Sequence, residues 1–180
     1  MMKRLAGVVL SVFFIFGFVA ASDAQDDVVD KIDIVAVKKI SVEEGVLNLS
    51  ILINNKNAKN LKFIDGDLVF YMGLNRNKGE KLGEQQGYST DTDYADGIPS
   101  SGQSLLNFAI KTGDASQSLK TLAYILNCIG DPANKPFVTI EGEFKLGIQS
   151  AKGWTTGNSV GITWNFTAAT PDDVNLLTVR

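Results

Sequence analysis

Val46-Leu-Asn-Leu-Ser-Ile-Leu-Ile-Asn54 decides the fold class. Leu47, Leu49, Ile51 and Ile53 alternate with Asn48, Ser50, Leu52 and Asn54. A period of two with apolar residues on one side is the pattern of a strand half-buried against a core. The same alternation returns late in the chain, in Val138, Ile140, Gly142, Phe144, Leu146 and Ile148, and again in Val160, Ile162, Trp164 and Phe166. Leu106, Phe108 and Ile110 give a further strand within 105–111, and Ile32 to Lys39 reads as a first strand with Ile34 and Ala36 on the face begun by Ile32.

Between these strands lie the breakers. Leu61 to Tyr71 is interrupted at Asp65-Gly66-Asp67, a signal for a bulge or tight bend, after which Leu68, Phe70 and Met72 resume the core side. From Asn75 to Ser104 the composition turns to Gly, Asn, Ser, Asp and Gln, which predicts a long connection with at most a short strand at Lys81-Leu82-Gly83. One helix is expected. Asp114 and Gln117 suit a capping box, Leu119, Leu122, Ala123, Leu126 and Ile129 recur at spacings of three and four as one buried stripe, and Gly130 and Pro132 end it. About seven strands with one short helix before the last two predict a mainly β domain, an immunoglobulin- or fibronectin-like antiparallel sandwich. A small closed barrel is the alternative the alternation allows.

Lys3 and Arg4 precede an unbroken apolar run from Leu5 to Ala21, with Ala20, Ala21, Ser22 and Ala24 after it. That is the layout of a secretory signal peptide, so residues 1–24 are expected to be removed and the protein exported, to the periplasm or the cell surface, with no membrane segment left after cleavage. Gln25, Asp26, Asp27 and Asp30 make 25–31 an acidic lead expected to be mobile. Net charge is −3 and no basic stripe is present, which argues against nucleic acid as a partner. Cys128 is the single cysteine, so no internal disulfide can form, and it is expected to be a buried apolar filler.

The segment from Leu47 to Ile110 resembles the water-stress and hypersensitive-response (WHy) domain shared by class 2 late embryogenesis abundant proteins. The features that carry the resemblance are Ile51-Leu-Ile-Asn-Asn-Lys-Asn57, Leu61-Lys-Phe63, Asp67-Leu-Val-Phe-Tyr-Met-Gly73, Lys81-Leu-Gly83, Ile98-Pro99 and Gly102, in that order. The later helix and Ile140-Glu-Gly142 are similar too. Asn54-Asn55-Lys56-Asn57 lacks the Asn-Pro pair the family usually carries there. The resemblance implies a sandwich over 32–170, a tail over 171–180, and a non-catalytic role in tolerance of desiccation or related stress; it supplies no catalytic residues.

The chemistry of the chain points the same way. There is no histidine, which removes Ser-His and Cys-His pairs and the commonest zinc ligand. Asp91, Asp93 and Asp96 before Gly97 form the one constellation that invites calcium, but their spacing misses the usual calcium loop, with Gly102 where its bidentate Glu would stand. The ordinary reading is a solvated acidic turn. Glu141 and Glu143, two apart on one strand face, are the pair a carboxylate-only hydrolase would use, and their ordinary reading is an exposed polar face. No catalytic residue, cofactor or metal is therefore expected. Tyr88, Tyr94 and Trp154, in or beside loops, are the candidates for contact with a protein partner or envelope component, with a subunit docking on a larger surface complex as the alternative role. The oligomeric state is left open.

Overall fold

In the computed structural model the alternating stretch is strand β2 (Val46–Asn55), with Leu47, Leu49, Ile51 and Ile53 buried on one side. The structure describes residues 28–43, 45–130, 133, 136–167 and 178–179. The expected leader, residues 25–27 of the lead, 168–177, and the side chains of Leu122, Cys128 and Ile129 fall outside the described residues.

The remaining elements are β1 (Ile32–Glu43), β3 (Leu61–Leu74), β4 (Glu80–Tyr88), β5 (Gly102–Lys111), helix α1 (Ala115–Gly130), β6 (Pro136–Ser150), β7 (Gly153–Thr167) and the short β8 (Thr178–Val179). The chain is mainly β. Seven antiparallel strands follow the order β7-β6-β3-β4-β5-β2-β1, and β8 adds in parallel to the far end of β1 through Ser41↔Thr178 and Val42↔Val179. The sheet curls around a single apolar cluster. Phe63 packs on Phe144 with centroids 4.4 Å apart, and Phe108 of β5 meets Phe70 of β3 at 5.2 Å and Tyr88 of β4 at 4.7 Å. These rings join the two halves of the sheet where its backbone barely does, since β4 and β5 share one pair, Glu84↔Lys111.

The bulge expected at Asp65-Gly66-Asp67 is present. Pairing of β3 with β6 slips between Ile64 and Asp67, and Asp65 has φ +54°. In β1 the expected face is altered, because the pairing with β2 slips between Ile34 and Ala36 and again between Val37 and Lys39. Each slip moves the inward phase by one residue. Ile34, Val37, Ile40 and Val42 therefore stand opposite the inward residues of β2, and the strand runs on to Glu43. The short strand expected at Lys81 is nine residues long. Its sequence hides it because only Leu82, Gly83 and Tyr88 are buried. At Gly83 a Cβ would collide with the Lys111 carbonyl, so the single β4–β5 backbone pair depends on that glycine.

Of the expected stripe, Leu119, Ala123 and Leu126 are exposed, and the described side chains that the helix buries lie on the other side. Ile125 is fully buried, Thr121 is buried, and the Tyr124 hydroxyl donates to the Met72 carbonyl at 2.8 Å, whereas Leu119 is 64% and Leu126 44% exposed. Positions 121, 124 and 125 lie about half a helical turn from 119, 123 and 126. The periodicity is present, and the anchoring of Tyr124 and Ile125 to the sheet decides which side faces in. The cap is as expected, with Gln117 N–H donating to Asp114 Oδ1 at 2.9 Å. Among the described residues no helix is long and apolar enough to cross a membrane.

Candidate functional site: a cleft between two open strand edges

Asparagines organise one end of the sheet. Asn55, wholly buried, donates from Nδ2 to the carbonyls of Lys59, Ile98 and Pro99 at 3.1–3.3 Å. Its Oδ1 accepts from the N–H and the Nδ2 of Asn57, and Asn57 Nδ2 also reaches the Val28 carbonyl at 2.9 Å. Asn60 bonds the Asp96 carbonyl and the Ser100 N–H. Loop 89–101 is thereby fastened to β3, together with the backbone pair Leu61↔Ile98 and the bonds between Phe63 and Thr90. The lead is fastened as well over its described part: Val29 is buried and Lys56 N–H donates to the Lys31 carbonyl at 3.0 Å.

This loop carries the acidic candidates, and each is engaged separately. Asp91 pairs with Lys62 at 2.6 Å, Asp93 accepts from Asn107 Nδ2 at 2.9 Å, and Asp96 contributes its carbonyl to Asn60. Among the described residues no group of three potential ligands is arranged around a metal position.

Of the aromatic candidates, Tyr88 is 4% exposed and stacked near Phe108, so its ring belongs to the core and not to a contact surface. Burial pushes its phenol well above the usual tyrosine range, with Asp93 adding to the rise. Tyr94 is half-buried and spends its hydroxyl on Leu105, donating to the carbonyl at 3.0 Å and accepting from the N–H at 2.6 Å. Trp154 is 36% exposed, with Lys62 Nζ 4.7 Å from its ring centroid and Gly97 beneath Cη2 and Cζ2. It clamps the β6–β7 hairpin to loop 89–101. Glu141 is held by Lys78 at 2.6 Å while Glu143 is exposed, and the ammonium of Lys78 also sits over the Tyr71 ring. Lys62 joins Asp91 to Trp154, but the structure does not gather all of these candidates into one site.

What it does bring together is the start of β1 and the end of β7. A cleft of ≈570 Å³ is lined by Val29 to Val35 on one wall (Lys31 excepted) and by Gly161 to Phe166 on the other. Ile32, Ile162, Trp164 and Phe166 supply buried apolar surface; Asp30, Asp33, Thr163 and Asn165 supply polar groups. Among the described residues both strands are sheet edges here, since β8 covers only Ser41 and Val42 of β1 and β7 pairs only with β6. Trp164, expected in the core, is 8% exposed, but its Nε1–H has no hydrogen-bond partner among the described residues. Val35, at the β1 bulge, is 47% exposed. Sequence reasoning passed over these residues because nothing in a strand's own alternation says that it lies at an edge, or which other edge it faces.

No family model matches the chain, and no curated protein matches it. Among solved structures, a crystal structure of a protein from Archaeoglobus fulgidus is similar at 14% identity, covering 77% of this chain and 94% of its own, with a TM-score of 0.30. A solution structure of AT1g01470 from Arabidopsis thaliana is similar at 13% identity, covering 76% of each chain, with a TM-score of 0.31.

Proposed function

We propose that this protein is an exported, non-catalytic binding protein that engages a protein or envelope component and protects it under desiccation or related stress. The observation that carries the binding reading is the cleft between β1 and β7, where an apolar floor, a polar rim and strand edges unpaired among the described residues occur together. Such a combination suits recognition. Export rests on Lys3, Arg4 and the apolar run from Leu5 to Ala21. The protective role is what the WHy-like order of residues implies. The absence of histidine and the pairing of Asp91 with Lys62 and of Glu141 with Lys78 favour binding over hydrolysis.

The fold that belongs to this reading is an immunoglobulin-like sandwich in which β7-β6-β3-β4 faces β5-β2-β1. The single β4–β5 pair and the aromatic contacts between the halves support it.

The test is isolation of the protein with its bound material from its own cell envelope under mild conditions, together with a drying assay on an unrelated enzyme. Protection of the enzyme by the purified protein, at stoichiometric amounts, is the expected result. One stoichiometric partner and no protection would replace the protective role with that of a docking subunit. Neither partner nor protection would remove the binding reading.

A further inference from the structure

We propose that the cleft takes an extended peptide segment of a partner protein, which adds as a strand antiparallel to both β1 and β7. The proposal rests on the binding reading above and specifies its chemistry.

Strand direction sets the geometry. With seven antiparallel strands in the order β7-β6-β3-β4-β5-β2-β1, the two outermost run in the same direction. They cannot pair with each other in the antiparallel manner used everywhere else in the seven-stranded sheet. One inserted strand can pair with both. Every second residue of an edge strand turns its N–H and C=O away from the sheet, so the cleft has backbone donors and acceptors on two walls. An extended polypeptide is the ligand whose own backbone answers both at once. Further along the same edge β8 already adds to β1 at Ser41 and Val42, there in parallel. The wall from Gly161 to Phe166 has room for about six residues of strand at about 3.3 Å each.

Two side-chain features specify the occupant further. The buried Nε1–H of Trp164, without a partner among the described residues, calls for an acceptor, which a peptide carbonyl provides. Asp30 and Asp33 stand at the rim, and Lys56 pairs with Asp33 from outside the cleft. This rim favours a segment that alternates apolar and basic residues. The bulge at Val35 and the charge of Asp33 also guard the edge against indiscriminate pairing.

The probe is the blocked hexapeptide Lys-Val-Thr-Val-Lys-Val, with an N-methylated version carrying the same side chains. Backbone amides of the full chain from which the leader has been removed are followed by NMR and hydrogen exchange. Saturable protection of amides in 32–37 and 161–167, with at least tenfold weaker binding of the N-methylated peptide, is expected. Val35→Lys should weaken binding by about tenfold, while Leu119→Lys on the helix leaves it unchanged. Equal binding of both peptides, protection elsewhere, or no protection at millimolar peptide would overturn the proposal. So would concentration-dependent protection of the same amides without peptide, which would assign the cleft to a second copy of the chain. Capture of the same envelope partner by wild type and by Val35→Lys would overturn strand addition while leaving the binding reading intact; loss of any partner and of drying protection would remove that reading itself.

Discussion

Asn57 donates both its backbone N–H and its side-chain N–H to the Oδ1 of Asn55, each at 3.0 Å. Through this one oxygen and the Nδ2 beside it, a buried amide holds the turn after β2, the Ile98-Pro99 segment and, by way of Asn57, the chain before β1. Replacing Asn55 by Ala leaves several buried or half-buried backbone groups without partners. A loss of about 2–3 kcal/mol is expected, measured by urea unfolding. Amide exchange should accelerate in 89–101 before it does in β2, because the loop loses its anchor while the strand keeps its ladder to β5.

Gly97 and Trp154 form a second obligatory pair. Gly97 has φ +78°, and a Cβ there would collide with Trp154 Cη2 and stand 2.9 Å from the Leu61 carbonyl. Gly97→Ala should therefore cost about 1–3 kcal/mol in backbone strain and displaced packing. Tryptophan emission should move to the red as Trp154 is lifted into water. Gly102→Ala is the control, since its nearest neighbour would be Pro99 Cγ at 3.7 Å, and it should change neither quantity appreciably.

The contrast between these loops and the strands shows where the sequence is readable. Alternation in β2, β5, β6 and β7 reports directly which side chains face the core, and Asp65-Gly66-Asp67 marks its own bulge. The β1 bulges leave no such mark. There the phase is imposed by pairing with β2, so Val37 replaces Ala36 opposite Ile51. In Asn54-Asn55-Lys56-Asn57 composition announces a turn but cannot say that Asn55 and Asn57 turn inward as a buried hub. The cleft is less legible still, because it depends on which strands end the sheet, a property of topology and not of any segment. Tyr88 misled for a related reason: a polar, glycine-rich neighbourhood reads as loop although its ring packs beneath β5.

An exposed pair provides a pH test. Lys145 Nζ bonds Asp65 Oδ2 at 2.8 Å, and this hydrogen bond, with the ammonium charge behind it, lowers the Asp65 carboxyl below its ordinary value of 3.8. A carboxyl depressed in the folded state contributes stability that is present above its unfolded value and lost as pH falls through the folded one. The contribution should thus disappear in the range below about pH 4 and be weakened by salt, because both groups are open to water. Carbon-detected NMR titration of Asp65 should give a midpoint under 3.8 in the wild type. In Lys145→Gln the midpoint should return toward that value, with stability at pH 7 little changed.

Tyr88 gives the opposite sign. Burial raises its phenol, so the folded state resists ionisation that the unfolded chain undergoes near pH 10. Stability from this residue is complete below the unfolded value and declines as pH rises above it. Ultraviolet titration should show Tyr88 ionising only with unfolding. Tyr88→Phe should remove that late step and flatten the alkaline limb of the stability profile. A Tyr88 that titrated freely near pH 10 in the folded protein would contradict its place against Phe108.

The helix offers the sharpest test of burial, because two stripes of the same segment make opposed predictions. If Ile125 and Thr121 face the sheet, Ile125→Ala removes a fully buried side chain and should cost about 2–4 kcal/mol through lost burial and the cavity left behind. Leu119→Glu, at a position 64% exposed, should cost no more than about 0.5 kcal/mol. Tyr124→Phe removes the bond to the Met72 carbonyl and belongs between them, at about 1 kcal/mol. Were the stripe through Leu119 and Leu126 the buried one, the first two costs would exchange places. Urea midpoints of the three variants, compared at constant m-value, distinguish the two orientations of the helix on the sheet.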